Sequence, residues 1–69
     1  MAKITLFANG QAKQVQEGMN VEQFIDSLEL NAKTLLIEKN GQALLPQEWA
    51  QEVLEHGDRI EFFRVSAGG

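Results

Sequence analysis

The chain has 69 residues, no cysteine, one proline and a formal net charge of -4. That length makes one small domain, and without Cys neither a disulfide nor a Cys-based zinc site braces it, so packing alone must hold the fold. The acidic balance excludes a basic surface for nucleic acid or an anionic membrane, and a hydrophobic fraction of 43% argues against disorder throughout.

The first element is Lys3 to Ala8, where Ile4, Leu6 and Ala8 alternate with Lys3, Thr5 and Phe7 at the period of a strand. Asn9-Gly10 follows, a pair that tolerates positive φ and so predicts a two-residue hairpin. With that loop, Ala8 pairs with Gln11 and Ile4 falls opposite Val15, which puts two apolar side chains on one face. Gly18 breaks the second strand. Asn20 then caps a helix, with Gln23 at the return position of a capping box. Val21, Phe24, Ile25 and Leu28 form one helical face, and Glu22, Gln23, Asp26 and Ser27 the other. The acidic residues lie early, where the helix dipole favours them.

Leu35-Leu36-Ile37 is a continuous apolar run, which predicts a central strand buried on both faces. Asn40-Gly41 predicts a second hairpin into Ala43-Leu44-Leu45. Pro46 stops that strand and opens a helical turn through Ala50. Trp49 within it reads as a packing anchor closing one edge of the core. Gly57-Asp58 is a further turn, and Ile60 to Val65 the last strand. Ile60 and Phe62 share one of its faces, Phe63 and Val65 the other. Residues 66–69, Ser-Ala-Gly-Gly, have no large side chain and are expected to be a flexible tail on a body of residues 1–65.

This order makes an α+β domain in which one helix covers one face of a mixed sheet. Ile60 and Phe62 then face the core. Phe63 and Val65 form an apolar patch beside the tail, a candidate docking surface, unless the Pro46–Trp49 turn or an opposite loop covers them.

The residue inventory argues against an enzyme. His56 is the only histidine, and it reads as an exposed turn residue. No second His and no Cys complete a metal site or a nucleophile–base pair. The acidic residues are scattered, and no Gly-rich loop leads into a helix to cradle phosphate. With no transmembrane run and no basic-then-apolar leader, a cytoplasmic location is expected.

The C-terminus carries the sharpest signal. At ordinary glycine usage, two terminal glycines arise by chance in about 0.5% of chains. A Gly-Gly end has no Cβ, so it can thread a narrow channel and present its carboxylate in another protein's active site. A carboxylate must be activated before it reacts as an electrophile, for example as a mixed anhydride with AMP. Nothing in this chain performs that step, so a separate activating enzyme is required.

In its element order and its ending the chain resembles the ubiquitin-like sulfur carriers of prokaryotes, the MoaD/ThiS superfamily. The resemblance covers essentially the whole chain. It is carried by Asn40-Gly41, Leu45-Pro46 with Trp49, Gly57-Asp58-Arg59-Ile60-Glu61 and Ala67-Gly68-Gly69. Pro46 with Trp49 points to the thiamine branch over the molybdopterin branch. Gln47 stands where members of the thiamine branch often have a basic residue.

The resemblance implies a β-grasp fold and a role as protein co-substrate, not enzyme. It implies that a separate ThiF-like adenylating enzyme, using ATP and Mg, activates Gly69. A cysteine desulfurase or related donor then supplies sulfur, and the thiocarboxylate passes it to a ThiG-like thiazole synthase. Because Cys is absent, the sulfur has to sit on the C-terminal carbonyl carbon. Two other readings stay open at this point. One is a carrier serving molybdopterin, sulfur amino-acid or siderophore synthesis. The other is a ubiquitin-like non-covalent binding module or protein modifier.

Overall fold

The computed structural model describes residues 2–65. The main elements are β1 (Lys3–Ala8), β2 (Gln11–Gln16), α1 (Val21–Ser27), β3 (Leu35–Lys39), β4 (Gln42–Leu44) and β5 (Arg59–Arg64). Short 3-10 turns occupy Ala32–Thr34 and Pro46–Glu48. The strands form one sheet in the order β2-β1-β5-β3-β4. β1 and β5 run parallel, and the other neighbours are antiparallel. With α1 packed on one face, this is a β-grasp domain. No helix among the described residues is long and apolar enough to cross a membrane.

Both hairpins form where Asn-Gly predicted them. Asn9 and Asn40 take φ of 48 and 53, and the glycines after them both take φ of 83. Two successive residues at positive φ match the right-handed strand twist, which is why Asn-Gly suits this position. The first hairpin has the predicted register, with Ala8 opposite Gln11 and Ile4 opposite Val15.

The capping box at the start of α1 is complete. The Asn20 Oδ1 accepts from the Gln23 amide at 2.8 Å, and the Gln23 Oε1 accepts from the Asn20 amide at 3.0 Å. The next two helix amides find partners in the 49–54 segment. Val21 donates to the Glu52 carbonyl at 2.9 Å and Glu22 to the Trp49 carbonyl at 3.2 Å. The first-turn donors, which lack intrahelical partners, thereby tie the helix to the segment that carries Trp49. Val21, Phe24 and Ile25 are buried, and Leu28 sits at the C-cap, packed against the core. The helix ends at Ser27, one residue before the last apolar position of its stripe.

Around these residues pack Ile4, Leu6 and Ala8 of β1, Leu35 and Ile37 of β3, and Ile60 of β5, with Trp49 and Leu54 closing the edge. Trp49 is 3% exposed, as expected of an anchor, and its indole N–H points to the Leu44 carbonyl at 3.4 Å. Leu54, not anticipated from periodicity, lies in a segment of no regular structure and is held by its amide donating to the Met19 carbonyl at 2.9 Å.

The expectation that β3 is buried on both faces is corrected. Leu35 and Ile37 are buried, but Leu36 between them is 60% exposed. Only one face of the sheet carries a helix, so alternate residues of even an all-apolar strand point away from the core. The strand at the middle of the sheet is β5, not β3.

Candidate functional site

β5 alternates as its sequence predicted. Ile60 is fully buried and Phe62 packs against the core, while Phe63 and Val65 remain 48% and 45% exposed. Neither the Pro46–Trp49 turn nor another described segment covers these two. They have company that the sequence did not suggest. Leu36 is the cross-strand partner of Phe63. Continuing the β3–β4 register by one step past Ile37 and Leu44 places the exposed Leu45 beside Leu36. An apolar row, Phe63–Leu36, thus crosses β5 and β3 on the open face, with the exposed Leu45 just after β4 and Val65 at its border. Phe7 is also exposed on this face but lies at the other end of β5, paired with Arg59. The missed residue was Leu36, and its signal was present: in a sheet covered on one side, an apolar triplet leaves its middle residue outside.

Next to the row, Glu38 and Glu61 are direct cross-strand partners. Among the described residues neither forms an ion pair; the pairs that form belong to Lys39. Like charges facing each other across a ladder are destabilising. Glu38→Gln is therefore expected to stabilise the isolated protein by ~0.2–1 kcal/mol, read from denaturant midpoints at low salt.

β5 is gripped from both sides by the two hairpin asparagines. The Asn9 Oδ1 accepts from the Phe62 amide at 2.9 Å, and its Nδ2 donates to the Phe62 carbonyl at 3.3 Å. The Asn40 Oδ1 accepts from the Arg59 amide at 2.9 Å, while its Nδ2 donates to the Asp58 Oδ1 at 3.0 Å. The other oxygen of the buried Asp58 accepts from the Glu55 amide at 2.8 Å and lies 3.7 Å from the Lys39 ammonium, which also meets Glu52 at 3.1 Å.

Burial works against the charge of Lys39. The hydrogen bond to Glu52 and the charges of Asp58, Glu52 and Glu55 outweigh that effect and hold the ammonium above the usual lysine range. A raised folded value means that folding strengthens proton binding. The stabilisation is present in full below the ordinary lysine pKa of about 10.4 and is lost as pH rises through the folded value. The melting temperature is expected to fall above about pH 10.4, and to fall less over that range in Lys39→Met.

No second chemistry assembles elsewhere among the described residues. His56 is exposed, as expected, and its Nδ1 accepts from the Thr5 amide at 3.1 Å, a structural use. No group of three or more His, Cys, Asp or Glu among the described residues is arranged to hold a metal. A shallow groove of about 330 Å³ on the helix side has Trp49 and Leu35 in its lining and Glu22, Asp26 and Lys33 on its walls, with no nucleophile or base pair.

The open-face row lies beside the end of β5. Beyond the last ladder pair, Leu35 with Arg64, the Val65 amide donates to the Thr34 carbonyl at 2.7 Å. The remaining expected site residues, Ala67, Gly68 and Gly69, lie outside the described residues.

Comparison with known proteins bears on this arrangement. The model of the ThiS family matches residues 2–69. The sulfur carrier protein ThiS of Escherichia coli is 33% identical over 61 residues, which is 88% of this chain and 92% of that protein. The crystal structure of a thiamine biosynthesis protein (ThiS) from Geobacter metallireducens superposes with a TM-score of 0.85 at 28% identity, covering 96% of this chain and all of that one. A solution structure of a thiamine biosynthesis protein from the same organism gives a TM-score of 0.76 at 26% identity, over 96% of this chain and 88% of that one.

Proposed function

This chain belongs to the ThiS family, and from that premise we propose that it carries sulfur for thiamine biosynthesis as a thiocarboxylate on Gly69. The observation that carries the proposal is the match through the Gly-Gly end, joined to a body whose exposed apolar row lies at the strand leading into that end.

The chemistry follows from the carboxylate. One of its oxygens attacks the α-phosphorus of ATP, held with Mg by a ThiF-like adenylating enzyme, and pyrophosphate leaves. The resulting acyl-adenylate has a good leaving group on an unhindered glycyl carbonyl. Hydrosulfide adds to that carbon, AMP departs, and a thiocarboxylate remains. Where a cysteine desulfurase supplies the sulfur as a persulfide, the acyl disulfide first formed is cleaved by a thiol, which leaves as a disulfide with the donor and releases the thiocarboxylate. Its sulfur is a nucleophile that a thiazole synthase takes up. In this scheme the chain is a co-substrate, and its own residues dock and present the terminus. Phe63, Leu36 and Leu45 seat in an apolar pocket of the partner, with Val65 at the edge nearest the active site.

The test is mass spectrometry of the intact protein after incubation with ATP, Mg, the adenylating enzyme and sulfide. The mass should rise by the difference between one sulfur and one oxygen, with the sulfur mapped to Gly69. An unchanged mass with several cognate adenylating enzymes would leave a binding module instead. Conversion only by an enzyme of molybdopterin synthesis, with no sulfur passed to thiazole synthase, would reject the thiamine assignment. Phe63→Asp should raise the KM of the adenylating enzyme for this protein by about tenfold or more, because a buried unpaired charge at an interface is costly. A KM equal to that of the unaltered protein would remove Phe63 from the docking surface.

A further inference from the structure

The like-charged pair Glu38–Glu61 adjoins the apolar row. Glu38 follows Leu36 by two residues on β3, and Glu61 precedes Phe63 by two on β5, so all four side chains share the open face. Residues directly paired across an antiparallel ladder have Cβ atoms about 5 Å apart. Glu38 is half-buried and Glu61 exposed. The neighbouring residues offer the pair no cation. On the β4 side, Glu38 is opposite Ala43. On the β1 side, pairing ends at Ala8 with Ile60, and the side chain of Asn9 beyond it is committed to the backbone of Phe62. Lys39 belongs to the other face, where Glu52 and Asp58 hold it. Arg59 lies on the open face two residues before Glu61, but among the described residues it forms no ion pair with it.

Resting on the carrier reading above, we infer that Glu38 and Glu61 are specificity-determining residues of this docking surface. Together they seat one cationic side chain of the adenylating enzyme, an arginine in preference to a lysine, beside the apolar pocket that takes Phe63 and Leu36. Charge complementarity decides the occupant. Two facing carboxylates repel each other in the free protein. They match the planar fork of a guanidinium, whose five donors reach both, whereas an ammonium is a single point charge. A second copy of this chain, itself at a net charge of -4, is a poorer occupant. Beside the apolar row the ion pair is shielded from water on docking, where it is worth more than at an open surface. The pair that costs stability in the free protein therefore contributes affinity in the complex. It also rejects a partner with an acidic or apolar group at that point, because the two charges would then be desolvated without a counter-charge.

The test uses the full chain and a purified ThiF-like adenylating enzyme, with the dissociation constant read by titration calorimetry. Glu38→Gln and Glu61→Gln keep the shape of the side chain and remove one charge each. Each should weaken binding by about tenfold at low salt, while its denaturant midpoint in the free state stays at or above that of the unaltered protein. Raising the salt from ~50 to ~500 mM should weaken binding of the unaltered protein more steeply than that of the double variant. Glu22→Gln, on the helix that covers the opposite face, changes the net charge equally and should alter affinity by less than about twofold. Variants at Glu38 and Glu61 that bind as tightly as the unaltered protein, lose no more than Glu22→Gln, or keep the salt dependence of the unaltered protein would overturn the inference and leave the carrier reading standing. An unaltered protein that neither binds the enzyme nor gains sulfur on incubation would overturn the carrier reading, and this inference with it.

Discussion

Deleting Gly69 is expected to abolish thiocarboxylate formation and leave the melting temperature unchanged. The two halves of that outcome have separate causes. The core runs from Ile4 to Ile60, with Phe62 packed against it, and the last described tie of the chain to the body is at Val65. Removing one residue at position 69 therefore subtracts no described core contact. The chemistry responds differently, because it depends on where the free carboxylate stands. A chain ending at Gly68 brings that carboxylate about 3.5 Å short of its place, and misplacement of a reacting atom by even ~1 Å can cost about a hundredfold. A tag added after Gly69 should have the same effect, since it converts the carboxylate to an amide. Intact-mass measurement reads the first half and a thermal melt the second. Conversion of the shortened or tagged protein would refute the assignment of Gly69.

Phe24→Ala should unfold the domain or nearly so. Phe24 is 2% exposed at the centre of the α1 face, between the helix and the sheet. Truncating such a residue costs about 3–5 kcal/mol in lost burial and residual cavity. A single core in a domain this small supplies about the same amount, ~3–5 kcal/mol. The chain has no cysteine for a disulfide, and no group of three or more His, Cys, Asp or Glu among the described residues is arranged to hold a metal. The far-ultraviolet dichroism of the variant at 25 °C and its urea midpoint measure the effect. A midpoint like that of the parent would mean that the helix face is not the keystone of the core.

The elements of this fold were legible because their signals are local. Asn9-Gly10 and Asn40-Gly41 chose their hairpins through backbone conformation alone, and the hairpin length then settled the pairing of Ile4 with Val15. Asn20 with Gln23 marked the start of α1, and the spacing of Val21, Phe24 and Ile25 marked its buried face. The alternation of β5 separated Ile60 from Phe63. In each case the physical cause operates within a few residues of chain, so a sequence reading has access to it. The C-terminal glycines lie outside the described residues, and their proposed use rests on the family match through residue 69.

Leu36, Asp58 and the asparagine side chains depended on the assembled sheet. Leu36 has the hydrophobicity of its buried neighbours, and only the absence of a second covering layer decided that it faces outward beside Phe63 and Leu45. Asp58 read as a turn former. Its burial arose when Asn40, eighteen residues earlier, supplied a donor and Lys39 a cation. Asn9 and Asn40 likewise took a second task, gripping β5 from either side, once that strand had inserted between β1 and β3. The sequence by itself determined the hairpins, the helix and its buried face, and the alternation of the last strand. The tertiary structure decided which apolar side chains form the open row and which polar ones are buried. Burial and pairing are properties of segments brought together across the chain, and no local pattern encodes the neighbour that each residue will meet.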